Sequence, residues 1–317
     1  MRMIDPVALG CLLSIAVMTA GCGGSPTTPS TGPSPAVSPA PTPSPTPAPS
    51  PTPPGPLQLG AAAAIDSPCP AGSPSGTQCR RLQVSCPSIA GASATLRITS
   101  PSGATARRGT IVVTTGGDGT SLNGDIPLGR QMIGTLTGDG MLVVELAWGV
   151  PGIWGGPQAR TLACRYATAA RWVYDNLHGG AGLFAAQGTS GGSSQIAFAL
   201  AHYGLSDIIG LANLGGGPPG CPLCSPDGQH GPEPLLPGPA PSVNRDPRLN
   251  YPTANVRFFL GDREPTPEII ADANAYYSGI TSAKSMTTVP NTEHNIEATQ
   301  AGVDAYVTSV RAALSGR

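Results

Sequence analysis

A serine framed by glycines, Gly188-Thr189-Ser190-Gly191-Gly192, separates an apolar strand-like run, Leu183 to Ala186, from a helix-like run, Ser193 to Tyr203. A strand that must become a helix within so few residues holds the serine in a strained backbone conformation, and the glycines around it supply the room. Such a turn presents the hydroxyl alone, at its tip. It also aims the N–H of Gly191 and the positive end of the following helix at a point where negative charge would be stabilised. In a chain with 43 glycines the five-residue string is weak by itself; its setting is what constrains the fold. Ile196, Ala199, Leu200 and Tyr203 fall on one face at the helical period, and Gly204 stops the helix.

From about residue 80, strand-like and helix-like segments alternate, which predicts an α/β fold, a mainly parallel sheet covered by helices on both faces. Arg81 to Ser85 and Ala94 to Thr99 read as an opening antiparallel pair. Thr110 to Thr114 is short, apolar and β-branched, as a central strand should be, and a glycine-rich loop, Thr115-Gly116-Gly117-Asp118-Gly119, follows it. Met141 to Ala147 is a second buried strand, with Trp148 and Trp154 in the loop after it. Leu162, Tyr166, Ala169, Val173 and Leu177 form the stripe of a helix packed on the sheet, and Cys164 lies off that stripe, pointing away from the sheet. Further strands are expected at Ile208 to Leu214, Val256 to Leu260 and Ser285 to Val289. A helix starts at Thr266-Pro267-Glu268 with a capping residue and a proline at its first position, and a closing helix carries Val303, Tyr306, Val310 and Leu314. Residues 215–252 interrupt the rhythm with a glycine- and proline-rich stretch, read either as a cap over the cleft or as a surface excursion.

The N-terminus divides differently. Arg2, the apolar stretch Val7 to Ala20 and Thr19-Ala20-Gly21-Cys22 read as an export signal over residues 1–21. This end resembles a bacterial lipoprotein lipobox, which implies a lipid on Cys22, a membrane partner through that anchor, and a cell-envelope location outside the cytoplasm; cleavage as an ordinary secretory peptide is the alternative. Residues 22–57 are almost wholly Pro, Ser, Thr and Ala, a composition that favours extended polyproline II and cannot bury a core. They form a tether, ahead of a catalytic-sized domain at 58–317. A formal net charge of −1 gives no electrostatic case for binding nucleic acid.

Of eight cysteines, Cys11 lies in the leader and Cys22 at the anchor. Cys69, Cys79, Cys86, Cys164, Cys221 and Cys224 remain, and six in an exported domain point to disulfides. Local pairing of Cys69 with Cys79 and of Cys221 with Cys224 leaves Cys86 for Cys164. A zinc site at Cys221-Pro222-Leu223-Cys224 would need a second ligand pair, for which only His230 is near, so no metal or cofactor is expected.

A serine hydroxyl is a poor nucleophile at neutral pH, so Ser190 requires a base and a carboxylate to orient that base. His178 precedes the strand and belongs at the opposite edge of the sheet, His202 reads as a surface residue near a helix end, and His230 falls in the cap-like stretch. His294 lies in a loop just after the last strand, at the carboxyl edge where Ser190 also lies. Asp262 follows the strand Val256 to Leu260 at the same edge, with Glu264 as second choice. The order Ser190, Asp262, His294 around this turn resembles the α/β-hydrolase superfamily over about residues 80–315. The resemblance implies an eight-stranded, mostly parallel sheet and hydrolysis through an acyl-enzyme. It also implies a second oxyanion N–H from the loop after Thr110 to Thr114. Thr115 stands where that family has a histidine, and Gly117 or Asp118 is the donor.

The substrate implied is a small or polymeric carboxylic ester, with Trp148 and Trp154 as a stacking surface or as packing within their loop. A peptidase of the same fold, and a tethered binding protein without catalysis, are the competing functions.

Overall fold

The computed structural model describes residues 56–102, 106–151, 159–180, 182–218 and 249–316. The export signal, Cys22, most of the tether, Trp154, Cys221, Cys224 and His230 lie outside the described residues, as does most of the cap-like stretch.

Among the described residues nine strands form one sheet: β1 (Ala61–Asp66), β2 (Gln78–Cys86), β3 (Ile89–Thr99), β4 (Gly109–Thr114), β5 (Met141–Trp148), β6 (Leu183–Thr189), β7 (Leu211–Gly215), β8 (Asn255–Gly261) and β9 (Lys284–Val289). Their order is β1-β2-β3-β5-β4-β6-β7-β8-β9. The first three run antiparallel and the rest parallel. The eight strands implied by resemblance are therefore nine, because Ala61–Asp66 adds an edge strand to the opening pair. Every residue of β4, β5, β6 and β7 is buried, which accounts for their largely apolar or β-branched character; Glu145, Gln187 and Asn213 are the buried polar residues that break it on β5, β6 and β7.

Among the described residues, five α-helices cover the sheet. α1 (Pro127–Gly138) and α5 (Gln300–Ser315) lie over a core built on Ile111, Val143, Met132 and Val307. α2 (Ala159–Val173), α3 (Gly191–Tyr203) and α4 (Pro267–Gly279) lie over a second core on the other face, with Tyr166, Phe198 and Tyr276 at its centre. Among the described residues no helix is long and apolar enough to cross a membrane.

Disulfides join Cys69 to Cys79 and Cys86 to Cys164. The second corrects the expected direction of Cys164. Cys164 faces the end of β2, so it points to the sheet's antiparallel flank and not away from it. The expectation assumed one covered stripe, whereas residues 163–170 of α2 are buried without a break. His202 is likewise no surface residue: it is 4% exposed, stacks on Phe198, and its carbonyl accepts the N–H of Leu57. The chain entering the domain covers the end of α3 that an isolated helix would leave wet.

One buried ion pair governs how the chain leaves the loop after β4. Arg97 on β3 and Glu145 on β5 stand opposite one another, joined by bonds of 2.6 and 2.8 Å. Glu145 also accepts the N–H of Gly124 at 2.7 Å, and Arg97 reaches Asp125 at 2.7 Å. The segment between the loop and α1 is thus clamped to the sheet by charge. Arg97→Met strands the Glu145 carboxylate in the core and should lower stability by about 3–5 kcal/mol, measured as a shifted urea midpoint at unchanged slope. The double variant Arg97→Met/Glu145→Leu should regain most of that loss. A single variant as stable as the parent would remove the clamp from this account.

Candidate active site

Ser190 sits between β6 and α3 with φ 53° and ψ −119°, one of three non-glycine residues at positive φ among those described. The seven strand residues before it are buried and Ser190 itself is half-buried, so the side chain emerges where the chain turns. Two backbone bonds hold the turn: the Ser190 N–H donates to the Gly215 carbonyl at 2.8 Å, and the Ser190 carbonyl accepts the Ser194 N–H at 3.0 Å. The glycines are there for close approach. A Cβ on Gly188 would lie 2.5 Å from the Gly192 carbonyl carbon, so strand and helix meet where only hydrogen atoms fit.

The loop after β4 packs against this turn. A Cβ on Gly191 would stand 2.3 Å from the Gly117 carbonyl oxygen and 3.3 Å from its nitrogen, and one on Gly116 would stand 3.2 Å from the Ser190 Cβ. Gly117 takes φ 56° and has open space where a side chain would project. The structure thus brings Gly117 and Gly191 together beside Ser190, at the N-terminus of α3. The loop is held by the Gly119 N–H on Gly116 and by the Gly119 carbonyl, which accepts the Trp148 N–H at 2.8 Å.

Trp148 is thereby placed differently from expectation. It is the last residue of β5, paired with Ala94, 3% exposed, and its Nε1–H donates to Gln195 at 2.9 Å. Trp148 supports the β4 loop from beneath and offers no stacking face to a ligand; the loop was expected to begin one residue too early.

His294 lies in the loop between β9 and α5. Its Nδ1 is 2.8 Å from Oε2 of Glu264, whose side chain is 0% exposed, while that of His294 is 25% exposed. The second oxygen of Glu264 accepts the Thr266 N–H at 3.2 Å. With Nδ1–H donated to the carboxylate, Nε2 is the free lone pair, the form a general base needs.

Asp262 does not touch the ring. Its Oδ1 accepts the Thr292 N–H at 3.1 Å, and its carboxyl is held below the ordinary carboxylate range chiefly by the Asn291 N–H, with the Thr292 N–H adding to it. The reason is local. The Asp262 N–H continues the ladder to Val289, which lays its side chain along the His294 loop's backbone, and the Glu264 N–H then turns back onto the Gly261 carbonyl. That turn, and one more methylene, carry the Glu264 carboxylate to the imidazole. Asp262 fastens the loop and Glu264 faces the imidazole.

Ser190 and His294 come from opposite directions onto consecutive residues at the end of β7. The Gly215 carbonyl holds the Ser190 N–H, and a Cβ on Gly216 would lie 3.2 Å from His294 Cε1 and 3.3 Å from its Nδ1. His178 is buried at the far edge, bonded to Thr110 near the start of β4 at 3.0 Å.

The sequence matches no protein-family model and no curated protein. Among solved structures, acetyl xylan esterase 1 from Thermoanaerobacterium sp. JW/SL YS485 is similar at 14% identity, covering 80% of this chain and 87% of that one, with a TM-score of 0.54. A puromycin-hydrolyzing peptidase from Mycobacterium tuberculosis is similar at 16% identity, covering 75% of this chain and 39% of that one, with a TM-score of 0.52. What is shared at these identities is the fold alone, a mainly parallel sheet with helices on both faces.

Proposed function

We propose that the chain is a serine hydrolase that cleaves carboxylic esters through an acyl-enzyme, with Ser190 as nucleophile, His294 as general base and Glu264 as the acid that orients it. The reading is supported by the strained turn at Ser190, φ 53°, whose N–H is held by Gly215, together with an imidazole that lies against Gly216 and has its Nδ1 bonded to a buried carboxylate. A polar residue at positive φ is a cost that persists where the surroundings impose it, and such outliers cluster at active sites.

In the first half-reaction Ser190 Oγ attacks the acyl carbon while His294 Nε2 takes its proton. Glu264 keeps Nδ1–H in place and stabilises the imidazolium. The oxyanion forms beside Gly191 and Gly117, whose N–H groups are the donors, at the positive end of α3. His294 returns the proton to the leaving alcohol. Water, deprotonated by the same imidazole, then attacks the acyl-enzyme, releasing the acid and restoring the serine. The esterase fold neighbour and the peptidase fold neighbour make esters and amides the two bonds to compare, and an ester with its better leaving group is the one a half-exposed serine cleaves most readily.

The proposal extends to location. Export, with Cys22 lipidated and residues 22–57 as tether, is supported by two disulfides of the kind that oxidising compartments permit. A fluorophosphonate probe should label the folded full-length chain once, on the peptide carrying Ser190. Absence of labelling, or an adduct on another residue, defeats the assignment.

A further inference from the structure

Behind the site, three polar side chains that the reaction does not use meet in the core. Thr189 is the residue just before the nucleophile. Glu297 follows the base by three positions, in a 3-10 turn spanning Ile296–Ala298. Tyr306 comes from α5. All three are buried. The Thr189 hydroxyl donates to Glu297 Oε2, and Thr189 Oγ1 lies 2.8 Å from Tyr306 Oη.

The protons run one way. If Tyr306 O–H donates to Thr189 and Thr189 O–H to the Glu297 carboxylate, each hydrogen has an acceptor and neither hydroxyl is left unmatched. Burial pushes the Glu297 carboxyl up, and the Thr189 bond and the nearby His294 pull it back down. A carboxylate in such a place costs free energy unless it is well bonded, so its partners hold it firmly.

What the cluster joins is the point. A Cβ on Gly215 would fall 1.6 Å from Tyr306 Oη and 3.0 Å from Thr189 Oγ1. Two of the three side chains, those of Tyr306 and Thr189, therefore sit directly on the residue whose carbonyl holds the Ser190 N–H. Tyr306 is fixed in turn by an edge contact with Phe259 on β8, ring centroids 4.9 Å apart. Hence one polar cluster ties the nucleophile's strand to the turn that ends the His294 loop and to the helix that closes the domain.

We propose that Glu297 and Thr189 are positioning residues, whose bond sets the separation of Ser190 from His294; the inference rests on the hydrolase reading above. Neither group touches the reacting atoms. They act by fixing the two segments that carry them, and misplacement of a catalytic pair by about 1 Å costs on the order of a hundredfold in rate.

The test uses the full chain and four variants, with p-nitrophenyl acetate as substrate and thermal unfolding as the check on folding. Thr189→Val keeps the shape and removes the hydroxyl: kcat should fall about 10- to 100-fold with KM nearly constant. Thr189→Ser restores the hydroxyl and should restore most of the turnover. Glu297→Gln keeps an oxygen to accept the Thr189 proton and should lie well above Glu297→Ala. Equal losses in Thr189→Val and Thr189→Ser, or equal losses in Glu297→Gln and Glu297→Ala, would overturn the proposal, as would a folded Thr189→Val at the parent rate. A parent that neither turns over nor labels defeats the hydrolase reading separately. The positioning role is then decided by the proton NMR signal of the His294 Nδ1–H, which should move in Thr189→Val and stay in Thr189→Ser; a signal unmoved in both overturns it.

Discussion

Ser190→Ala is expected to lower kcat by about a millionfold while leaving the domain folded, since loss of the nucleophile alone removes nearly all that a serine triad contributes. The backbone explains why folding survives. The bonds that hold the turn run through the Ser190 N–H and carbonyl, and alanine keeps both. Alanine also meets about the same steric cost as serine at φ 53°, so the strain is carried over and not released. Ser190→Gly, by contrast, would remove both nucleophile and strain and should raise stability by about 1–2 kcal/mol. The measurements are turnover of p-nitrophenyl acetate and urea unfolding on the same preparations. An alanine variant that hydrolyses the ester at the parent rate places the chemistry elsewhere.

Much of the sheet was readable because buried parallel strands leave a plain signature. β4, β5 and β6 are short apolar runs bounded by glycine or turn residues, and each was placed to within a few residues. β1 was not, because its sequence, AAAAID, is mostly alanine, which carries little β-preference. It forms by pairing along β2, a tertiary cause that no local window contains. α1 was hidden for a related reason. Its sequence, PLGRQMIGTLTG, includes three glycines that weaken any helical signal. One of them is demanded by packing: a Cβ on Gly129 would lie 1.9 Å from the Asn123 carbonyl oxygen. Close packing has overridden propensity there.

Of the candidate site, the residues tied to a strand end were legible and the choice between loop neighbours was only narrowed. Ser190 and His294 follow from chain order and from the carboxyl edge of the sheet, and the structure brings both to the end of β7. The Thr189–Glu297–Tyr306 cluster left no signal, since a threonine in a strand and a glutamate in a turn are ordinary and their meeting spans over a hundred residues of sequence. The carboxylate was the hard choice. Asp262 and Glu264 stand two residues apart on one loop, and only the turn of the Glu264 N–H onto Gly261 decides which reaches the ring.

That choice gives the second large effect. Glu264→Gln should lower kcat by about ten-thousandfold, because a neutral amide neither stabilises the imidazolium nor fixes the tautomer that leaves Nε2 free. Asp262→Asn should cost no more than about tenfold, through a looser His294 loop. The two also separate by pH. The folded Asp262 carboxyl is held below its ordinary value, mainly by the Asn291 N–H, so its bonds stabilise the fold at pH above about 4, the value of a free aspartate. That contribution disappears as pH falls through the depressed folded value. Asp262→Asn should therefore be less stable than the parent at neutral pH and converge with it in acid, when unfolding is followed from pH 7 downward. Were Asp262→Asn to lose the ten-thousandfold and Glu264→Gln to keep its turnover, the imidazole would have to leave Glu264 during the reaction, and the resting contact at 2.8 Å would describe storage of the base and not its use.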